Sequence, residues 1–135
     1  MRSDRTWSRD AGPRVGGAQV ALSSAHDQRD AELADFHIRI LSMDGRSIVH
    51  ISGELDTYTA ARLRDALVGL ISAGSRHIVV DLAGVSFMGA SGLGVLVAAG
   101  KRLRRDDGKL LLRSAPPSVQ RMIEITGLDA SLPRI

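Results

Sequence analysis

His77-Ile78-Val79-Val80-Asp81-Leu82 and, five residues further on, Phe87-Met88-Gly89-Ala90-Ser91-Gly92-Leu93-Gly94 decide how this chain folds. The first stretch is nearly continuous in β-branched and other apolar residues, the composition of a strand covered on both faces inside a sheet. The second reads as a short loop to Ser91. It leads into a helix whose buried stripe is Leu93, Leu96, Val97, Gly100 and Leu103, stopping near Gly108. A buried strand that passes through a glycine-rich loop into a helix is the unit from which α/β folds are built. The loop is where such folds place their sites.

Outward from this unit the pattern repeats. Leu63, Ala66, Leu67, Leu70 and Ile71 share one face of a helix that begins at Thr57 or Thr59 and ends at Gly74. Before it, Phe36-His37-Ile38-Arg39-Ile40 alternates apolar and polar, the mark of a strand with one wet face. Asp44-Gly45 then supplies a tight turn into a second, antiparallel strand from Ser47 to Ser52. Downstream, residues 109–113 form a strand, and Pro116-Pro117 opens a helix through Val119, Met122, Ile123 and Thr126, closed by Gly127. Leu132-Pro133-Arg134-Ile135 reads as the stub of a fifth strand. The order predicts an α/β fold with a mixed four- to five-stranded sheet, an antiparallel edge strand and about three helices.

Residues 1–33 carry Gly12, Pro13, Gly16, Gly17, Ser23 and Ser24 with five charges of each sign and no sustained periodicity. They read as a disordered tail ahead of one domain at 34–135. At 135 residues, 44% hydrophobic and 24% charged, the chain is of ordinary globular composition and long enough for one sizeable core. With no cysteine there is no disulfide, thiolate metal site or cysteine nucleophile. The longest apolar run, Val95 to Ala99, is far below the ~20 residues of a membrane span, and the expected setting is the cytoplasm without membrane insertion. The net charge of +3 comes from dispersed arginines, and the aromatics are only Trp7, Phe36, Tyr58 and Phe87. That is too few for a base-stacking platform, so direct nucleic-acid binding is not expected.

Catalytic readings of the glycine-rich loop fail one by one. Its glycines fall as G-x-x-G-x-G rather than the dinucleotide pattern G-x-G-x-x-G, and no Gly-Lys-Ser/Thr follows for a phosphate loop. A hydrolase elbow needs G-x-S-x-G, whereas Gly89-Ala90-Ser91-Gly92 is followed by Leu93. The four histidines, at 26, 37, 50 and 77, show no metal-ligand spacing, so neither metal nor cofactor is expected. The cationic run at 101–105 sits where a helix C-terminus favours positive charge. Ser91 reads as a helix cap, and its alternative role is as a phosphate-accepting hydroxyl at a helix start. Asp56 and Thr57 end the second strand on the same edge as this loop, either as a cap or as part of a shared surface.

Taken together, Gly53-Glu54-Leu55-Asp56, Thr59-Ala60, Ile78-Val79-Val80-Asp81-Leu82, Phe87-Met88, Ser91-Gly92-Leu93-Gly94-Val95-Leu96, Pro117-Ser118-Val119 and Thr126-Gly127-Leu128 resemble the STAS domain of bacterial anti-sigma factor antagonists. The likeness runs from about Phe36 to Asp129. It implies a binding module without catalysis. Such a module docks on an anti-sigma factor, often a serine kinase of histidine-kinase-like ATPase fold, and so releases a sigma factor. The implied partner surface is Asp56, Thr57, Met88, Gly89, Ala90, Ser91, Gly92 and Leu93. The family's D-S-S-G loop falls on Gly89 to Gly92, which puts alanine at Ala90, the usual phosphoacceptor position, with Ser91 as a substitute. Family domains usually add a final helix after the last strand, whereas this sequence stops at Ile135. STAS proteins lacking the acceptor serine also resemble subunits that stabilise the ATPase of an ABC lipid transporter. That alternative predicts co-purification with such an ATPase.

Overall fold

Asp44 and Gly45 both take positive φ, 53° and 76°, the geometry of a two-residue turn whose twist matches the strands it joins. In the computed structural model, which describes residues 36–135, this turn closes a hairpin between β1 (His37–Met43) and β2 (Arg46–Leu55). Met43 lies opposite Arg46, and His37 opposite Ser52. The chain continues through α1 (Thr57–Ser72), β3 (His77–Met88), α2 (Ala90–Arg105), β4 (Lys109–Arg113) and α3 (Pro117–Ile125). The four strands lie in the order β1-β2-β3-β4, with β1 antiparallel and the other pairs parallel. The expected mixed sheet with an antiparallel edge and three helices is what forms. The tail expected at 1–33 lies outside the described residues.

All three helices pack on one face of the sheet. Val49, Ile51, Ile78, Val80, Leu82, Leu110 and Leu112 meet Leu63, Leu67 and Ile71 of α1, Leu93, Leu96 and Leu103 of α2, and Val119 and Ile123 of α3 in a single core. The expectation that β3 is covered on both faces is therefore corrected. Its burial alternates, and Val79 is only half-buried on the far side, between Ile48 and Leu111. A run of β-branched residues satisfies a half-covered strand too when its cross-strand neighbours are equally apolar. On the inner face the Ser47 hydroxyl, buried among these side chains, shares hydrogen bonds with Ser75 at 2.6 Å and Ser42 at 2.9 Å.

Three further boundaries differ from expectation. β2 runs on to Leu55 and β3 to Met88, because Gly53 (φ 103°) and Gly84 let the strands pair through two register shifts. A side chain at Gly84 would sit 2.8 Å from Ser52 Cβ. Helix α2 ends at Arg105, where Asp107 at φ 60° turns the chain and the Gly108 N–H donates to Leu103 O at 2.7 Å. Its stripe includes Gly92 and Ala99, with Val97 only half-buried. The fifth strand is a single parallel bridge between Leu112 and Arg134, since Pro133 has no N–H to extend a ladder. No helix among the described residues is long and apolar enough to cross a membrane.

Candidate functional site

Leu55 and Met88 pair at the C-terminal ends of β2 and β3, so the two chain segments that leave the sheet there start side by side. After Leu55, Asp56 is extended (φ −102°, ψ −166°) and caps α1. Its carboxylate accepts from the N–H groups of Tyr58 and Thr59, at 2.9 Å each, while the Thr59 hydroxyl accepts from the Asp56 N–H at 2.8 Å. This reciprocal box satisfies donors that a helix start leaves open. The Thr59 N–H bond is the chief cause that holds the Asp56 carboxyl below its ordinary range.

The second segment is shorter than the sequence implies. One residue, Gly89, links β3 to α2, and its N–H donates to Leu55 O at 2.9 Å. Gly89 is itself the helix cap and offers no side-chain bond, so Ser91 is the second residue of α2 and the capping role expected of it is not the one it has. The glycines serve close packing here. A Cβ on Gly92 would collide with the buried Leu55 side chain, and one on Gly89 would touch the Phe87 ring at 3.5 Å.

Of the residues expected to form a surface, Asp56, Thr57, Gly89, Ala90 and Ser91 lie together at this edge, fully or partly exposed. The hydroxyls of Thr57 and Ser91 are 3.4 Å apart. Met88 and Leu93 are core residues, and Gly92 is buried beside them, because the strand end and the helix stripe both turn inward. Sequence reasoning missed two neighbours. Tyr58 is 85% exposed on the first turn of α1, and Phe87 is 51% exposed one residue before the end of β3. Tyr58 was signalled by its place ahead of the apolar stripe of α1; Phe87, two residues from the inward Val85, turns outward because the pairing with β2 skips Ser86, which the alternation of residues does not show.

Two helix starts converge at this edge, neither carrying an acidic residue within its first turn. At α1 the Asp56 carboxylate takes up the Tyr58 and Thr59 N–H groups, whereas at α2 Gly89 offers no side-chain cap and the open N–H groups leave a partial positive character. Among the described residues no histidine stands beside the hydroxyls: His77 begins β3 at the opposite end, and His37 and His50 lie on the far face of the sheet. Among the described residues no group of three or more His, Cys, Asp or Glu could hold a metal ion. An exposed edge on two helix starts, whose segments carry small residues and the exposed rings of Tyr58 and Phe87, has the makings of a protein-binding surface.

Known proteins bear on this geometry. The family described as STAS domain matches residues 37–135. The anti-sigma-B factor antagonist of Staphylococcus epidermidis is 34% identical over 94 residues, spanning 70% of this chain and 87% of that protein. The protein of the same name from Staphylococcus aureus strain NCTC 8325 is 35% identical over the same extent. Among solved structures, an anti-sigma factor antagonist from Mycobacterium paratuberculosis superposes with a TM-score of 0.66 at 32% identity, covering 73% of this chain and 84% of that one. The unphosphorylated antagonist SpoIIAA, at 22% identity and a TM-score of 0.63 over 74% of this chain and 87% of its own, shares the fold.

Proposed function

The chain belongs to the STAS-domain family, and from that premise we propose that it is an anti-sigma factor antagonist, a regulatory binding protein that frees a sigma factor by engaging its anti-sigma factor in the cytoplasm. The observation that carries the reading is the edge formed by Thr57, Tyr58, Phe87, Ala90 and Ser91. It is exposed, partly apolar and fixed on two helix starts, and it belongs to a chain whose curated relatives bear the antagonist name. Tyr58 and Phe87 are the anchors, since aromatic side chains bury large area at small entropic cost.

The partner is a serine kinase of histidine-kinase-like ATPase fold, and the departure at Ala90 sets how the pair is regulated. An alanine there has no hydroxyl to accept phosphate, so ATP does not switch this chain off at the usual place. The antagonist is constitutive. Calorimetric titration of the purified anti-sigma factor tests the reading. Binding in both ADP and ATP is expected, with Tyr58→Ala and Phe87→Ala each weakening it at least tenfold, about 1.4 kcal/mol. Failure of the wild-type chain to bind in either nucleotide contradicts it.

A further inference from the structure

The sheet face turned away from the helices carries a second surface. Strand register places Leu41, Ile48, Val79 and Leu111 in one cross-strand row. None of the four belongs to the core, and Leu41 is 64% exposed. Two strand positions to one side lie Arg46 and Lys109, and two positions to the other lie Arg39 and Arg113. The carboxylate in that second row, Asp81, is already taken up: Arg113 Nη2 stands 2.8 Å from its Oδ2 and His50 Nδ1 3.4 Å. An apolar row thus runs between Arg46 and Lys109 on one side and Arg39, beside the Asp81–Arg113 pair, on the other. Beyond Arg39 and His50 the face sinks, around Ser52 and Gly84, into a shallow depression of about 410 Å³.

The dimensions select an occupant. Rows four residues apart along a strand are separated by roughly 13 Å, and four strands span about 14 Å. An α-helix with its side chains is about 10–12 Å across and rises 1.5 Å per residue, so one helix of roughly ten residues lies along the apolar row with basic residues on each flank. Charge narrows the choice. With Arg113 balanced by Asp81, a second copy of this face would set three cations against three, and a nucleic acid would press its phosphates onto a row of Leu, Ile and Val with no ring to stack on. We propose that this face docks an acidic amphipathic helix of another protein, its apolar ridge on Leu41, Ile48, Val79 and Leu111 and its carboxylates on Arg46 and Lys109 to one side and Arg39 to the other. The docking is independent of the Thr57–Ser91 edge, so the domain holds two partners at once.

The probe is a synthetic helical peptide with one leucine stripe bordered by glutamates, titrated into the ¹⁵N-labelled full chain. A counterpart peptide carries lysine at every glutamate. The acidic peptide is expected to shift the amides of Ile48, Val79 and Leu111. Its affinity should fall with added salt, and drop at least tenfold in the Leu41→Asp, Arg46→Glu double variant. Both positions are exposed, so an unchanged melting curve verifies that the variant folds. Equal binding of the lysine peptide, unchanged affinity in the variant, no binding of the acidic peptide, or shifts at Thr57 and Ser91 instead would each overturn the proposal. So would partition onto phosphatidylglycerol vesicles that the double variant abolishes, which assigns the face to a lipid surface. A dimer in sedimentation that Leu41→Asp dissolves would assign it to a second copy and likewise overturn it.

Discussion

The hydroxyls of Thr57 and Ser91 stand 3.4 Å apart although 34 residues separate them in the chain. Leu55 and Met88 pair in register at the strand ends, Thr57 follows Leu55 by two residues and Ser91 follows Met88 by three. The extra residue is Gly89, whose N–H bonds Leu55 O and draws the start of α2 against the end of β2. Two βα turns are thereby tied into one surface.

That tie makes Gly92→Ala informative. The added methyl meets a Leu55 side chain with no room to retreat in the core, so α2 must shift outward. We expect a loss of roughly 1–3 kcal/mol in denaturant unfolding, together with broadened or displaced amide signals at both Thr57 and Ser91. The same substitution at Gly94, which has open space around it, should leave those signals in place.

Asp56 serves the fold before it serves a partner. Replacing it with alanine removes both acceptor bonds to the Tyr58 and Thr59 N–H groups, and a drop of several degrees in melting temperature is expected. Asp56→Ser retains a capping oxygen and should restore most of the loss. Partner affinity measured on Asp56→Ser, rather than on the alanine variant, then reports the carboxylate's role in binding.

Asp81 links stability to pH. Burial raises its carboxyl's pKa, but the Ala83 N–H and the Arg113 and His50 side chains together outweigh this and hold it below the ordinary range. A carboxyl lowered in the folded state stabilises above its unfolded value, and the contribution disappears as pH falls through the lower folded one. Wild type should therefore be more stable than Asp81→Asn near neutrality, with the gap closing between about pH 5 and pH 2. A gap that widens on acidification would mean that the ion pair with Arg113 is not what lowers this carboxyl.

Ala90→Ser places a hydroxyl on the first residue of α2, exposed and close to Ser91. Incubated with the cognate kinase and ATP, this variant, alone or with Gly89→Asp, should gain the mass of one phosphate while wild type gains none. The new charge at the centre of the edge should then abolish docking. Stoichiometric phosphate on wild type at Ser91 would contradict the constitutive reading.

Much of this architecture was legible because local rules agree with one another. Asp44-Gly45 fixes the hairpin, Leu63, Leu67 and Ile71 fix the buried stripe of α1, and the run at β3 fixes the sheet. What escaped depends on neighbours remote in sequence. Whether Val79 is covered depends on Ile48, Leu111 and the placement of all the described helices on the other face, which the pattern of β3 alone does not contain. Ser91 looked like a cap because a hydroxyl commonly begins a helix. The helix in fact starts at Ala90 with Gly89 as its cap, and Gly92 packs against Leu55 within its first turn. The strand ends placed Asp56, Thr57, Ala90 and Ser91 at one edge, yet Met88 and Leu93 belong to the core beneath it, and Tyr58 and Phe87 are exposed on the same segments.

The most direct measurement starts from the purified complex of anti-sigma and sigma factor, with a fluorophore on the sigma factor. This chain is titrated in while anisotropy reports release, in ADP and in ATP. The account predicts stoichiometric release with the same midpoint in both nucleotides, and a midpoint at least tenfold higher for the Tyr58→Ala, Phe87→Ala double variant. No release by wild type, or release that ATP suppresses, would contradict it.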